Sequence, residues 1–133
     1  MAATLKEMIA SARAAVEAVP VEEAGASLER GEIDVVLDVR EPAEFEQAHL
    51  PGAINIPRGW LEIRADPASP GADPNLTGDR SARILVYCTR APGARSVLAT
   101  QTLASMGYDR AGALDGGLNA WVEAGLEQEQ GSA

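Results

Sequence analysis

The sequence predicts an α/β domain in which parallel strands alternate with helices. Two runs carry that prediction. Ile33 to Val39 and Ile84 to Tyr87 are β-branched and apolar at their centres, as strands are when helices cover both of their faces. Helically spaced apolar residues before the first run and after the second supply the covering layers.

Taken in order, residues 4 to 18 place Leu5, Met8, Ile9, Ala12 and Val16 on one face at helical spacing, and Thr4 with Glu7 fits a capping box. The apolar stripe needs a cover, so this helix either caps the domain or supplies a dimer contact. Pro20 suits the first turn of a second, short helix, with Glu22 and Glu23 near its positive end and Gly31 as its stop. The central strand Ile33 to Val39 follows, then a shorter strand Ala53 to Ile56 bounded by Pro51, Gly52 and Pro57. Residues 58 to 83 are rich in Pro, Gly and Asp and are longer than a usual connection, which fits either a lid or a surface crossover. After the strand Ile84 to Tyr87 come Cys88 and its loop, a helix over 95 to 106 ended by Gly107, a weak strand from Ala111 to Asp115, and a last helix face of Leu118, Trp121 and Val122. Division of the chain reads as a helical extension over 1–19, the main domain over 20–126 and a polar, frayed tail over 127–133.

Composition narrows the function. The 133 residues suit one domain, with 46% apolar and 23% charged residues, which is ordinary globular usage. A formal charge of -9 disfavours nucleic acid and anionic lipid as partners, so an anionic substrate would need a local cluster of donors. No apolar run reaches the about 18 residues of a membrane span, and no secretory leader is visible, which reads as a cytoplasmic protein. One cysteine and one histidine, Cys88 and His49, exclude an internal disulfide and a zinc site built from these residues. No metal or cofactor is expected, and the thiol is free.

Cys88 stands at the carboxyl end of a buried strand and before a helix, where open parallel sheets place their ligand sites. The loop Cys88-Thr89-Arg90-Ala91-Pro92-Gly93-Ala94-Arg95-Ser96 adds two arginines, two hydroxyls and a flexible glycine, and its amides can converge on an anion at the helix start. Such surroundings favour a thiolate, the nucleophilic form of cysteine. The alternative is a small buried side chain at a strand end, the ordinary fate of a free cysteine. Asp38 and Arg40 read as a structural ion pair, His49 as a hydrogen-bonded turn residue, Trp121 as core, and Trp60 as a residue flanking the pocket mouth.

These segments resemble the rhodanese family. Asp38-Val39-Arg40-Glu41-Pro42-Ala43-Glu44-Phe45 with His49-Leu50-Pro51-Gly52-Ala53-Ile54-Asn55-Ile56-Pro57 is similar to the signature around that family's first major strand. Val86-Tyr87-Cys88, Gly93-Ala94-Arg95-Ser96, Gly107-Tyr108 and Leu114-Asp115-Gly116-Gly117-Leu118-Asn119-Ala120-Trp121 are similar to its active-site strand, loop, helix end and closing motif. The resemblance implies a three-layer fold with a five-stranded, mostly parallel sheet. It also implies a sulfurtransferase whose Cys88 carries sulfane sulfur as a persulfide, taken from thiosulfate or a similar anionic donor and passed to cyanide or a thiol. A sulfur-relay protein is a further partner class, and the protein is expected as a monomer or homodimer.

The loop departs from the family pattern. Seven residues, 89 to 95, separate Cys88 from Ser96, about two more than in a typical single-domain rhodanese. Rhodanese-like phosphatases and arsenate reductases also use longer loops, although five residues separate their Cys and Arg, whereas six separate Cys88 and Arg95. A phosphatase would also need a general acid, for which Asp115 or Glu41 would have to serve. Sulfur transfer is thus the first expectation, a phosphatase or arsenate reductase the second, and a non-catalytic sulfur carrier or interaction module the third.

Overall fold

A computed structural model describes residues 2–132; Met1 and Ala133, the outer ends of the expected extension and tail, lie outside the described residues. The element order is α1 (Leu5–Ala15), β1 (Glu17–Val19), α2 (Val21–Glu29), β2 (Val35–Asp38), α3 (Pro42–Gln47), β3 (Ile54–Asn55), a 3-10 turn (Arg58–Trp60), α4 (Leu61–Ala65), α5 (Pro74–Thr77), β4 (Ile84–Tyr87), α6 (Ala94–Ser105), β5 (Ala111–Leu114) and α7 (Gly117–Glu123). The strands form one five-stranded sheet in the order β1-β5-β4-β2-β3, parallel at every pairing. The expected fold class is the observed one.

Strand periodicity builds the two sides of the core. In β4 and the residue after it, Ile84, Val86 and Cys88 point to one face, where Leu61, Ala65, Leu76, Ala99, Leu103 and Tyr108 cover them from α4, α5, α6 and the turn that follows. Leu85 and Tyr87 point to the other, against Val21 and Ala24 of α2, Phe45 of α3, and Leu118 and Trp121 of α7. Burial on both faces explains why this strand reads as an unbroken apolar run.

Thr4 and Glu7 form the expected capping box, with Glu7 N donating to Thr4 Oγ1 at 3.1 Å and Thr4 N donating to Glu7 Oε1 at 2.9 Å. The helix expected over 4–18 ends at Ala15, however, and Glu17–Val19 form the edge strand β1 on β5. From the extended backbone Val16 packs against the cluster of Ala12, Val97 and Ala113, while Val19 joins the core on the other face of the sheet, and β-branched side chains favour that backbone. Only Ala12 of α1 is buried, packed against Val97 and Ala113, while Leu5 and Met8 stay exposed.

Residues 58–83 form a crossover rather than a lid: Leu61, Ala65 and Leu76 are buried in the core, and Tyr108 Oη donates to Ala65 O at 2.6 Å. Asp73 caps α5 through Asn75 N at 2.9 Å. At the C-terminal end, residues expected to fray make hydrogen bonds: His49 and Glu129 exchange backbone bonds of 2.9 and 2.8 Å, and Trp121 Nε1 donates to Glu127 O at 2.7 Å. Among the described residues no helix is long and apolar enough to cross a membrane.

Candidate active site

The sheet order decides where the site forms. From β2 the chain moves outward to β3 through α3 on one face, and from β4 it moves the opposite way to β5 through α6 on the other. Loops therefore diverge at the carboxyl ends of β2 and β4 and leave a crevice, the usual ligand position of a parallel sheet. Glu44 of α3 and residues of the Cys88 loop face each other there.

Cys88 is buried at the floor of an open pocket of about 350 Å³. Thr89, Arg90, Pro92, Ala94, Arg95 and Glu44 line the rest of it. Ala91 is exposed beyond the lining, and Gly93 and Ser96 lie behind the loop, where they face a small cavity of about 30 Å³ shared with Arg13 and Asp115. Ser96 still reaches the sulfur: Cys88 Sγ donates to Ser96 Oγ at 3.4 Å, and Ser96 Oγ donates to Gly93 O at 3.1 Å.

The loop is held from below by the Gly116-Gly117 turn. Leu118 N donates to Cys88 O and Asn119 N to Thr89 O, both at 2.9 Å. A Cβ on Gly117, whose φ is +60°, would fall 2.6 Å from Cys88 O, so only glycine permits this approach. Because the C=O and N–H of a trans peptide point in opposite directions, these two bonds turn the amides of Thr89 and Arg90 away from α7. Neither amide has a protein acceptor among the described residues, nor does that of Ala91. The first-turn amides of α6 add further donors without intrahelical partners. On the outer side, Arg13 of α1 donates to Pro92 O at 2.8 Å.

Arg95 does not stand free. Its Nη1 and Nη2 donate to Glu44 Oε1 and Oε2 at 2.7 and 3.2 Å, and Nη2 also donates to Thr89 Oγ1 at 3.2 Å. Arg95 holds the Glu44 carboxyl down at about 2, and the same contact raises the Arg95 guanidinium. Arg95 stands out in the loop sequence, whereas its partner Glu44, 51 positions away, does not. The capping box at the start of α3, where Glu41 N donates to Glu44 Oε1 at 3.0 Å, is the local signal that fixes its place.

The neighbouring groups are structural. Arg40 and Asp38 form a buried pair of 2.7 Å, and Arg40 also donates to Ala48 O and lies over the Tyr87 ring. Burial pushes the Tyr87 phenol up, and its oxygen accepts Leu50 N at 3.1 Å. His49 stacks on Phe45 with ring centroids 3.7 Å apart, and its Nδ1 is 2.7 Å from Phe45 O. Trp121 is buried as expected, whereas Trp60 is 51% exposed under Arg64 and lines no part of the Cys88 pocket. Neither Asp115 nor Glu41 lines that pocket.

Comparison with known proteins agrees with this geometry. The rhodanese-like domain family matches residues 20–124. A sulfurtransferase of Allochromatium vinosum is 36% identical over 94 residues, covering 70% of this chain and 77% of the relative. The thiosulfate:glutathione sulfurtransferase of Saccharomyces cerevisiae is 32% identical over 99 residues, covering 68% and 66%. Among solved structures, a Rhodopseudomonas palustris protein of unknown function, described as a possible tyrosine phosphatase, superposes with a TM-score of 0.88 at 33% identity over 97% of this chain and 96% of its own. With the family match spanning most of the chain and a cysteine at the carboxyl end of the central strand, this protein belongs to the rhodanese family.

Proposed function

We propose that the protein is a sulfurtransferase that moves sulfane sulfur from thiosulfate or a related donor to a thiol or cyanide through a persulfide on Cys88. The observation that carries this reading is the sulfur of Cys88 on the floor of a pocket rimmed by unpaired loop amides and two arginines. In the first half-reaction the Cys88 thiolate attacks the outer sulfur of the donor. The donor S–S bond breaks with its electron pair leaving on sulfite, and Cys88 keeps a persulfide anion. In the second, an acceptor thiolate or cyanide takes the terminal sulfur and the Cys88 thiolate returns, a two-step transfer. The amides of Thr89, Arg90 and Ala91 stabilise both anions, and the Ser96 hydroxyl turns from Gly93 O to donate to the sulfur once it is ionised. Ala94, Gly93 and Pro92 shape the wall and turn of the loop, Arg90 steers the donor, and Arg95 fixes Thr89. The setting is cytoplasmic, where thiols stay reduced. No cofactor takes part, and a sulfur-relay protein is an acceptor of the same chemical class.

A phosphatase or arsenate reductase is the second reading, favoured by the likeness to the R. palustris structure. It lacks a proton donor here: Glu44, the carboxylate that lines the pocket, is ionised at neutral pH, and Asp115 and Glu41 lie elsewhere. Turnover separates the two. Thiocyanate formation from thiosulfate and cyanide is expected in the wild type and absent in Cys88→Ser, with no hydrolysis of p-nitrophenyl phosphate. Cys88-dependent hydrolysis of the aryl phosphate without thiocyanate formation would overturn the proposal.

A further inference from the structure

The pocket combines cations expected for an oxyanion site with a carboxylate that opposes one. Glu44 takes both terminal nitrogens of Arg95 in a bidentate pair, and Thr89 Oγ1 closes the triangle by donating to Glu44 Oε2 at 3.4 Å. Glu44 is itself anchored by the Glu41 amide, so it has little freedom to swing away. Arg95 is thereby neutralised as seen by an incoming ligand. Arg90 is the remaining arginine of the lining and has no carboxylate partner among the described residues. A donor entering here meets one uncompensated cation and the fixed dipoles of the loop.

We propose that Glu44 is a specificity-determining residue, which by occupying Arg95 turns the pocket against dianionic donors and toward sulfane-sulfur donors that carry a single negative charge. The inference rests on the sulfur-transfer reading above and deepens it by naming the charge class of the donor. Repulsion between fixed charges grows with the charge of the ligand, so the second negative charge of thiosulfate is the one Glu44 penalises. Methanethiosulfonate has nearly the shape of thiosulfate with a methyl group in place of one anionic oxygen, and so isolates that charge. With it, the Cys88 thiolate bonds to the sulfane sulfur, the donor S–S bond breaks, and the electron pair leaves on methanesulfinate.

The test is the ratio of kcat/KM for thiosulfate to that for methanethiosulfonate in wild type, Glu44→Gln, Glu44→Asp and Glu23→Gln, the last removing one charge from a surface position outside the pocket. The ratio is expected to rise roughly tenfold in Glu44→Gln, the size of one charge interaction in a partly screened site, and to stay near the wild-type value in the other two. An unchanged ratio in Glu44→Gln, with both donors slowed alike, would overturn the inference and leave Glu44 as a brace for the loop. A binding measurement on the wild type needs no variant to fold: methanesulfonate is expected to compete more tightly than sulfate, and tighter sulfate would also overturn it. If neither donor loads Cys88 in the folded wild type, the sulfur-transfer reading fails, while the sulfate and methanesulfonate comparison still reports the charge preference of the pocket.

Discussion

Glu44 and Gly117 are residues whose roles lie in geometry rather than in reactivity. The Glu44 carboxyl, lowered from 4.5 to about 2 by Arg95, contributes stability that is fully present above the unfolded value and is lost as pH falls through about 2. The stability difference between wild type and Glu44→Gln should therefore shrink as pH falls from about 5 toward 2. Denaturant melts at several pH values measure it, and a difference independent of pH would contradict the ion pair. Its size is modest, because both partners are more than a third exposed and screened by water. For Gly117→Ala, the positive φ and the overlap with Cys88 O are expected to cost about 1–3 kcal/mol and to lower the midpoint of thermal unfolding. An unchanged midpoint would mean that the α7 turn does not hold the loop. Cys88 was visible in the sequence because its strand, loop and helix are consecutive. Glu44 was not, since its partner is set by a crevice between elements distant along the chain.

Element ends, more than element interiors, build this site. Asp38 closes β2, and its carboxylate takes Arg40 Nε and Nη2 in a pair that is buried at both partners. Asn55 ties the same turn down by donating to Asp38 O and Arg40 O at 3.1 and 2.9 Å. Asp38→Asn should cost about 3–5 kcal/mol, because it leaves the Arg40 charge buried without its counter-ion. Urea unfolding reads the change, and a loss near zero would show that Ala48 O and the Tyr87 ring suffice for Arg40. The long runs were legible: β4 spans the residues expected, and α6 begins one residue early and ends one early. The short edge strand β1 was not, because its three residues continue the apolar rhythm of α1 and only pairing with β5 makes them extended. The Pro- and Gly-rich stretch 58–83 hid α4 and α5, which are so short that they bury only Leu61 and Ala65 in one and Leu76 in the other, too few to show a period.

At the scale of the whole molecule, the sheet order places β4 between β5 and β2, and the diverging crossovers on its two sides create the crevice that holds Cys88. The core beneath that crevice is continuous from Leu37 to Leu103 and Tyr108, so packing and site share one support. Leu103→Ala, at a fully buried position on α6, is expected to destabilise the protein by about 2–5 kcal/mol, measured as a shift of the denaturant midpoint. The alternation of parallel strands and helices followed from the pattern of buried runs and the five-stranded sheet from the family resemblance, whereas the pairing of Arg95 with Glu44 emerges only when the sheet brings α3 and α6 together. Sulfur transfer through Cys88 requires that this cysteine store sulfur. The mass of the intact protein after incubation with excess thiosulfate or methanethiosulfonate, and again after cyanide, reads that storage. A gain of one sulfur, about 32 Da, is expected on wild type but not on Cys88→Ser, and cyanide should remove it. A wild-type mass unchanged by either donor, or a gain that persists in Cys88→Ser, would contradict it.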